Sequence, residues 1–150
     1  MSGDKPQLAD LLLTDSERPR VVAEVSQLIE TQVAAKRGFS GTALRTAMSM
    51  ARKARPDAIP NAVNHLLPEF CEQLQPHFDA FHDSGKASFA EYVTEHKQSI
   101  SSELLAVTDR RAARSSNKAV TSMYAKLRST AEDEVRNVAP GIAALVDQRR

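Results

Sequence analysis

Histidine is the side chain in this sequence best suited to bind a metal ion or to transfer protons at neutral pH. Four are present, at His65, His77, His82 and His96. His77 and His82 are five residues apart, so a helix would separate them by ~140° and they would not converge on one ion. His65 could share a helix face with Glu69 and Glu72, but Pro68 lies between them and is expected to interrupt that helix. We therefore predict a solvated polar face, with neither a metal nor another cofactor.

The single cysteine, Cys71, is the next candidate for chemistry, as a nucleophile. It lies on the same apolar stripe as Phe70, Leu74 and Phe78, and no histidine or arginine lies three or four residues away to lower its pKa. One cysteine also excludes an internal disulfide and a Cys-x-x-Cys pair. We expect a buried thiol without a chemical role.

The common catalytic signatures are missing from the sequence. It contains no Gly-rich phosphate loop, no Gly-x-Ser-x-Gly and no His-Glu-x-x-His. Two acidic pairs have helical spacing, Glu69 with Glu72 and Asp79 with Asp83, but such pairs on a polar face are usually hydrated. The sequence therefore does not support an enzyme, and we predict no catalytic residue.

Charge is separated into blocks along a chain that is almost neutral overall. Twenty Lys and Arg residues against nineteen Asp and Glu residues give a formal charge of +1, which excludes the global electropositivity of a histone-like protein. The segments from Lys36 to Arg55 and from Arg110 to Arg128 each contain six basic residues and no acidic one. Between them, the segment 69–83 contains four acidic residues and no Lys or Arg.

Two interpretations of the basic segments remain open. In one, they form stripes that contact the phosphates of a nucleic acid or another polyanion, since Arg45 and Arg52 are seven residues apart on one helix face. In the other, the basic side chains pair with acidic helices or lie near helix C-termini, where the helix dipole favours positive charge. The candidate polyanion contacts are Arg45, Arg52, Lys53, Arg55, Arg110, Arg111, Arg114, Lys118 and Lys126.

Amphipathic helices must position these side chains. The apolar fraction is 41%, mostly Ala, Leu and Val, and these residues recur at helical spacing over most of the chain. No alternating β-branched run predicts a strand. We therefore predict an all-α fold, a single-domain bundle of about seven or eight amphipathic helices with short connections. This domain spans residues 8–150 and follows a flexible lead-in at residues 1–7.

Local signals predict where these helices begin and end. Gly38 is expected to stop the second helix in a left-handed conformation, and Pro76 to kink a later one. The strongest start signal is Ser88, because its hydroxyl and the carboxylate of Glu91 have the spacing of a capping box. A break is expected near Lys97. The predicted helix starts are Ser40, Pro60, Pro68, Ser88, Ser115 or Ser116, and Pro140.

A binding role fits this sequence better than catalysis. We predict a non-enzymatic interaction module that docks another protein or a second copy of itself, and Met50 and Ala54 lie off the main apolar stripe where a partner could contact them. The first alternative is nucleic-acid or polyanion binding through the basic faces. The second is a carrier of a small apolar ligand in an inter-helix cavity lined by Met48, Met50 and Met123.

The expected location is the cytoplasm, without a membrane partner. The chain has one cysteine, no leader with a charged and then an apolar segment, and no apolar run near 18 residues.

Several short segments resemble a family of small actinobacterial proteins of unknown function, and the resemblance covers nearly the whole chain. They are residues 11–13, 18–22, 41–43, 62–64 with 66–68, 88–92 and 104–109, which read LLL, RPRVV, GTA, AVN with LLP, SFAEY and LLAVTD. The resemblance implies a cytosolic helical protein. It implies no catalytic or binding residue.

Overall fold

Seven α-helices follow one another in the computed structural model, which describes residues 6–150 except for the side chain of Val120. They are α1 (Leu8–Leu12), α2 (Arg18–Ala35), α3 (Gly38–Ala54), α4 (Ala58–Ser84), α5 (Phe89–Glu95), α6 (Lys97–Arg114) and α7 (Lys118–Asp147). The described residues contain no strand, and connections of one to five residues join the helices. The all-α prediction is confirmed. Most of the predicted lead-in, residues 1–5, lies outside the described residues.

The hydrophobic core forms around α4. Its buried side chains recur at helical spacing and are Val63, Leu67, Cys71, Leu74, Phe78 and Phe81. Near the C-terminal end of α4, the ring of Phe89 on α5 lies 5.0 Å from Phe78 and 5.6 Å from Phe81, measured between centroids. Buried residues of α1, α2, α6 and the end of α7 complete this core. No helix in the described part of the chain is both long enough and apolar enough to cross a membrane.

Helix α4 continues through two prolines, so the prediction that Pro68 opens a separate helix is wrong. A proline lacks the amide that would bond to the carbonyl four residues earlier, which here belongs to Asn64. Arg18 of α2 supplies the missing donor: its Nη2 lies 2.9 Å from the Asn64 carbonyl oxygen, and its Nε lies 2.7 Å from Oδ1 of Asn64. The helix also begins at Ala58, two residues before Pro60. The kink expected at Pro76 stays a prediction.

Three other predicted helix starts are wrong. Helix α3 begins at Gly38, so Ser40 lies inside its first turn. Asn117, rather than Ser115 or Ser116, directly precedes α7, and its Oδ1 accepts the amide of Ala119 at 2.9 Å. Pro140 lies inside α7, where buried residues on both sides of it hold the helix against the core. In each case the neighbouring structure outweighs a local signal.

Other local predictions are confirmed in whole or in part. Gly38 has the predicted left-handed φ, 82°, but α2 already ends at Ala35 and Gly38 is the first residue of α3. Helices α5 and α6 are separated at His96, next to the break expected near Lys97. Ser88 Oγ accepts the amide of Glu91 at 3.1 Å, as its cap position predicts.

The start of α5 is also fastened to the end of α7. The carboxylate of Asp147 accepts the amides of Phe89 and Ala90 at 2.9 and 3.0 Å. Burial opposes the charge on Asp147, but the hydrogen bond from Arg150 and these two amides hold its pKa below the usual range. This contact closes the core around the aromatic side chains.

Helices α2 and α7 pack in opposite directions. Arg149 bonds to Glu17 and Glu24 at one end of the pair, each at 2.8 Å, and Lys36 lies 3.3 Å from Glu134 at the other. The part of α7 before Glu134 therefore extends past the end of α2. It packs along α6, where the Tyr124 hydroxyl donates to Asp109 at 2.5 Å.

Candidate functional site

Helix α3 is attached to the rest of the molecule by less buried surface than α2 or α6. All 17 of its residues are described, and Gly41 is the one that is buried, whereas α2 and α6 each bury five of 18. Its main apolar stripe, Leu44, Ala47, Met48 and Ala51, is half-buried. No α3 residue belongs to the core cluster formed by the described residues. The helix is therefore a peripheral element with incompletely buried apolar surface.

The start of α3 packs closely against the end of α2. Gly41 approaches so near that a Cβ atom there would lie 2.2 Å from the carbonyl oxygen of Lys36. Arg45 donates from Nη1 to the carbonyl oxygens of Lys36 at 2.7 Å and Val33 at 3.2 Å, which satisfies the end of α2. Arg52 binds Glu30 at 3.0 Å. These contacts fix which side of α3 faces solvent.

The side that faces solvent carries an exposed apolar row. Phe39 is 97% exposed and Met50 is 53% exposed. Eleven residues separate them, which places them ~20° apart around the helix and ~16 Å apart along it. We name the following residues the outer face of α3, since all are exposed and share this side: Phe39, Ala43, Thr46, Met50 and Ala54.

Sequence reasoning found part of this face and missed its largest member. Met50 and Ala54 were expected to be available to a partner, and both are exposed. Phe39 was not predicted to be part of this face, because a helix that starts at Ser40 would leave Phe39 outside it. The signal that would have found it is the spacing from Phe39 to Ala43, Thr46 and Met50, which defines a second stripe opposite Leu44 and Met48.

Positive charge flanks the outer face. Arg37 precedes α3 and Lys53 lies in its last turn. Both side chains are exposed and contact no acidic group within residues 6–150. Helix α3 itself contains no Asp or Glu. An acidic partner would therefore meet no like charge on this helix.

A groove of about 650 Å³ lies between α2 and α3, on a different side of α3 from the outer face. Met48 lines it, but so do Arg45, Gln27 and the ion pair between Glu30 and Arg52. Most of the lining residues are exposed. An open groove with polar and apolar surface in about equal parts does not support the carrier of an apolar ligand, which needs an enclosed and mostly apolar site.

The nine candidate polyanion contacts fall into two groups. Four are engaged within the molecule: Arg45 with the carbonyl groups given above, Arg52 with Glu30, Arg55 with Asp57 and Arg111 with Glu69. The other five have no ion pair or hydrogen bond from their side chains in the described part of the chain: Lys53, Arg110, Arg114, Lys118 and Lys126. The interpretation that basic residues pair internally therefore holds for four of the nine. Within the acidic segment 69–83, Glu69 is the one residue that pairs with any of these four.

Four of the five unpartnered cations lie close to the turn between α6 and α7. Arg110 and Arg114 are in the last turns of α6, and Lys118 and Lys126 are in the first half of α7. We name these four residues the hairpin-end cations. The structure thus separates an apolar face on α3 from a cationic surface on another pair of helices.

Two of the four histidines have hydrogen-bond partners within the molecule. His77 Nε2 lies 3.0 Å from Glu103, and His96 Nδ1 lies 2.9 Å from the carbonyl oxygen of Tyr92. No group of three His, Cys, Asp or Glu among the described residues is placed to hold a metal ion. Burial raises the pKa of Cys71 to about 12, so the thiol is protonated and a poor nucleophile at neutral pH.

A comparison with known protein families finds a match over nearly the whole chain. The model of DUF6918, a family of unknown function, matches residues 8–150. No curated protein and no solved structure is detectably similar to the chain. Because the match covers nearly all of its length, the chain belongs to the family of unknown function DUF6918.

Proposed function

We propose that this protein is a helical interaction module that binds a partner protein through the outer face of α3. The observation that carries the proposal is the alignment of Phe39 and Met50, two large apolar side chains that remain exposed on one side of a helix. Single exposed apolar residues are common, but an aligned row rimmed by polar groups is typical of an interaction surface. An aromatic side chain and a methionine are also frequent anchors in protein interfaces.

The proposed partner is an acidic amphipathic helix. Its apolar side chains would lie against Phe39, Ala43 and Met50, in the way that helices recognise apolar surfaces through residues three and four apart. Its carboxylates would lie near Arg37 and Lys53, which have no acidic neighbour in residues 6–150. A second copy of α3 would bring like charges together, so charge complementarity favours a different protein.

The proposed setting is the cytoplasm. Cys71 is a free, buried thiol, and thiols stay reduced in that compartment.

Binding of designed peptides tests this proposal. One fluorescent peptide is an amphipathic helix of Leu and Glu, and the other has Lys in place of every Glu. We expect the unmodified protein to bind the acidic peptide more tightly, as measured by fluorescence anisotropy. The double variant Phe39→Ala, Met50→Ala should weaken that binding by at least ~10-fold, because anchor residues contribute on the order of 2 kcal/mol each.

Met123→Ala is the matched control, since Met123 is also partly exposed, at 36%, but lies on α7. This variant should bind the acidic peptide as the unmodified protein does. Unchanged binding by the double variant, equal binding of the two peptides, or no binding of the acidic peptide would each overturn the proposal.

A further inference from the structure

We infer that the end of the α6–α7 hairpin is a second binding surface, which contacts the phosphate backbone of double-stranded nucleic acid. The inference rests on the hairpin-end cations and does not depend on the proposed role of α3. It requires three things of these cations. They must be held in fixed positions, they must not be paired with acidic groups of the protein, and their surroundings must favour phosphates over bases or a protein partner.

The hairpin is fixed by polar contacts between its two helices. The Tyr124 hydroxyl bonds to Asp109 at 2.5 Å and lies 2.7 Å from the Thr108 hydroxyl. Arg128 binds Asp109 through Nη2 at 2.9 Å. These contacts set the register of α6 against α7. Arg110, Arg114 and Lys118 lie nearer the turn than these contacts, and Lys126 lies between Tyr124 and Arg128, so all four are held on a formed pair of helices. The turn between them is only three residues long, 115–117.

The cations are spaced at distances that suit successive phosphates. Arg110 and Arg114 are four residues apart, which is ~6 Å along α6, and Lys118 and Lys126 are eight apart, which is ~12 Å along α7. The first spacing is comparable to the distance between adjacent phosphates on one strand of a duplex, and the second to the distance between phosphates two apart. Long basic side chains adapt to small differences.

The charge of this surface is not balanced locally. The segment 110–128 contains no acidic residue. Its two cations that are paired use acids from outside it: Arg111 binds Glu69 of α4, and Arg128 binds Asp109. Arg110, Arg114, Lys118 and Lys126 make no ion pair within the described part of the chain. Four exposed positive charges within a few helical turns attract a polyanion even though the whole chain is nearly neutral.

The side chains between the cations favour a phosphate backbone. Ser116 and Ser122 are exposed, and hydroxyl groups commonly donate to phosphates. Small residues also allow a bulky duplex to approach closely. Single-stranded nucleic acid needs aromatic side chains on which bases stack, but Tyr124 is engaged by Asp109. The observations therefore favour a duplex, bound without reading its sequence.

A salt titration with a defined probe tests the inference. The probe is a fluorescent 24-base-pair DNA duplex, and its affinity is measured by anisotropy between about 50 and 300 mM KCl. We expect the affinity to fall steeply with salt. A quadruple variant replaces the four hairpin-end cations with Gln: Arg110→Gln, Arg114→Gln, Lys118→Gln and Lys126→Gln. It should bind at least ~10-fold more weakly at 50 mM KCl. The slope of log affinity against log salt concentration should become shallower by the equivalent of about two to four phosphate contacts.

A second quadruple variant removes the same charge elsewhere and serves as the control. It replaces Arg20, Arg37, Lys53 and Lys97 with Gln, four exposed residues that lie away from the turn between α6 and α7. It should keep most of the duplex affinity, and circular dichroism verifies that both variants fold. No duplex binding at 50 mM KCl, an equal loss in the two variants, or binding of phosphatidylserine vesicles in place of the duplex would overturn the inference. Phe39→Ala should leave duplex binding unchanged, so failure of one surface is distinguishable from failure of the other.

Discussion

Arg18 takes over a hydrogen bond that Pro68 cannot make. Its guanidinium contacts both the carbonyl oxygen and the side chain of Asn64, one turn before the proline. A guanidinium suits this task because its donors form a fixed fork. One side chain from α2 therefore allows α4 to remain a single helix with a continuous apolar stripe.

Replacing Arg18 tests this explanation. Arg18→Met keeps much of the side-chain volume but leaves the Asn64 carbonyl without its donor, so the free energy of unfolding should fall by about 1–3 kcal/mol. Urea unfolding followed by circular dichroism measures the change. Arg20→Met is the control, since the Arg20 side chain is 73% exposed and should contribute little. Equal stability of the two variants would show that Arg18 does not support α4.

At this scale the sequence predicts contacts between near neighbours and misses distant ones. The Ser88 cap is predictable because donor and acceptor are three residues apart. Arg18 and Asn64 are 46 residues apart, and nothing local to Pro68 reveals the partner. The same reason explains why the basic residues could not be divided in advance into paired and unpaired ones. Arg111 meets Glu69 only once α4 and α6 have packed.

At the scale of the element, the start of α3 makes one especially close backbone contact with α2. Gly41 is the position where α3 touches the end of α2, and any side chain there meets the carbonyl oxygen of Lys36. A backbone atom cannot move aside as the end of a flexible side chain can. The half-buried residues of α3 supply little further attachment, so this helix is expected to open locally more readily than α4.

Gly41→Ala should separate the start of α3 from α2. The added methyl group would lie 2.2 Å from the Lys36 carbonyl oxygen, so α3 must shift. We expect a loss of about 1–3 kcal/mol in stability and faster amide hydrogen exchange in α3, measured by mass spectrometry.

Gly141→Ala is the comparison for this effect, because its methyl group would meet only the side chain of Leu28, at 3.3 Å, which can adjust. Exchange in α3 should be unaltered in that variant. If Gly41→Ala leaves the exchange of α3 unchanged, the close contact does not hold the helix.

The helices themselves are largely predictable, but their boundaries are not. Apolar periodicity identifies the faces of α2, α4 and α6 that enter the core. Predictions based on the prolines put helix starts at the wrong residues. A proline destabilises a helix locally, but packing against distant parts of the chain outweighs that cost. The outer face of α3 was recognised in part, since Met50 lies off the buried stripe. Its full extent required knowing that Leu44 and Met48, rather than Phe39, face the body.

The whole molecule is nearly neutral, but it has two surfaces that differ in chemistry. One is the apolar outer face of α3, and the other is formed by the hairpin-end cations. The core cluster draws on six of the seven helices and leaves α3 outside. The first half of α7 extends beyond the end of α2 and carries uncompensated positive charge. The protein partner proposed for the first surface and the duplex proposed for the second would contact different helices, so the two proposed sites do not overlap.

The outer face of α3 as a docking surface is the central claim, and crosslinking from position 39 tests it most directly. A photoreactive benzoylphenylalanine replaces Phe39, the protein is irradiated in lysate of its own host, and the attached peptide is sequenced by mass spectrometry. We predict one dominant adduct with an acidic amphipathic segment of another protein, absent when the same group replaces Met123. An adduct with a second copy of this chain, with phospholipid, or with no protein at all would contradict the claim.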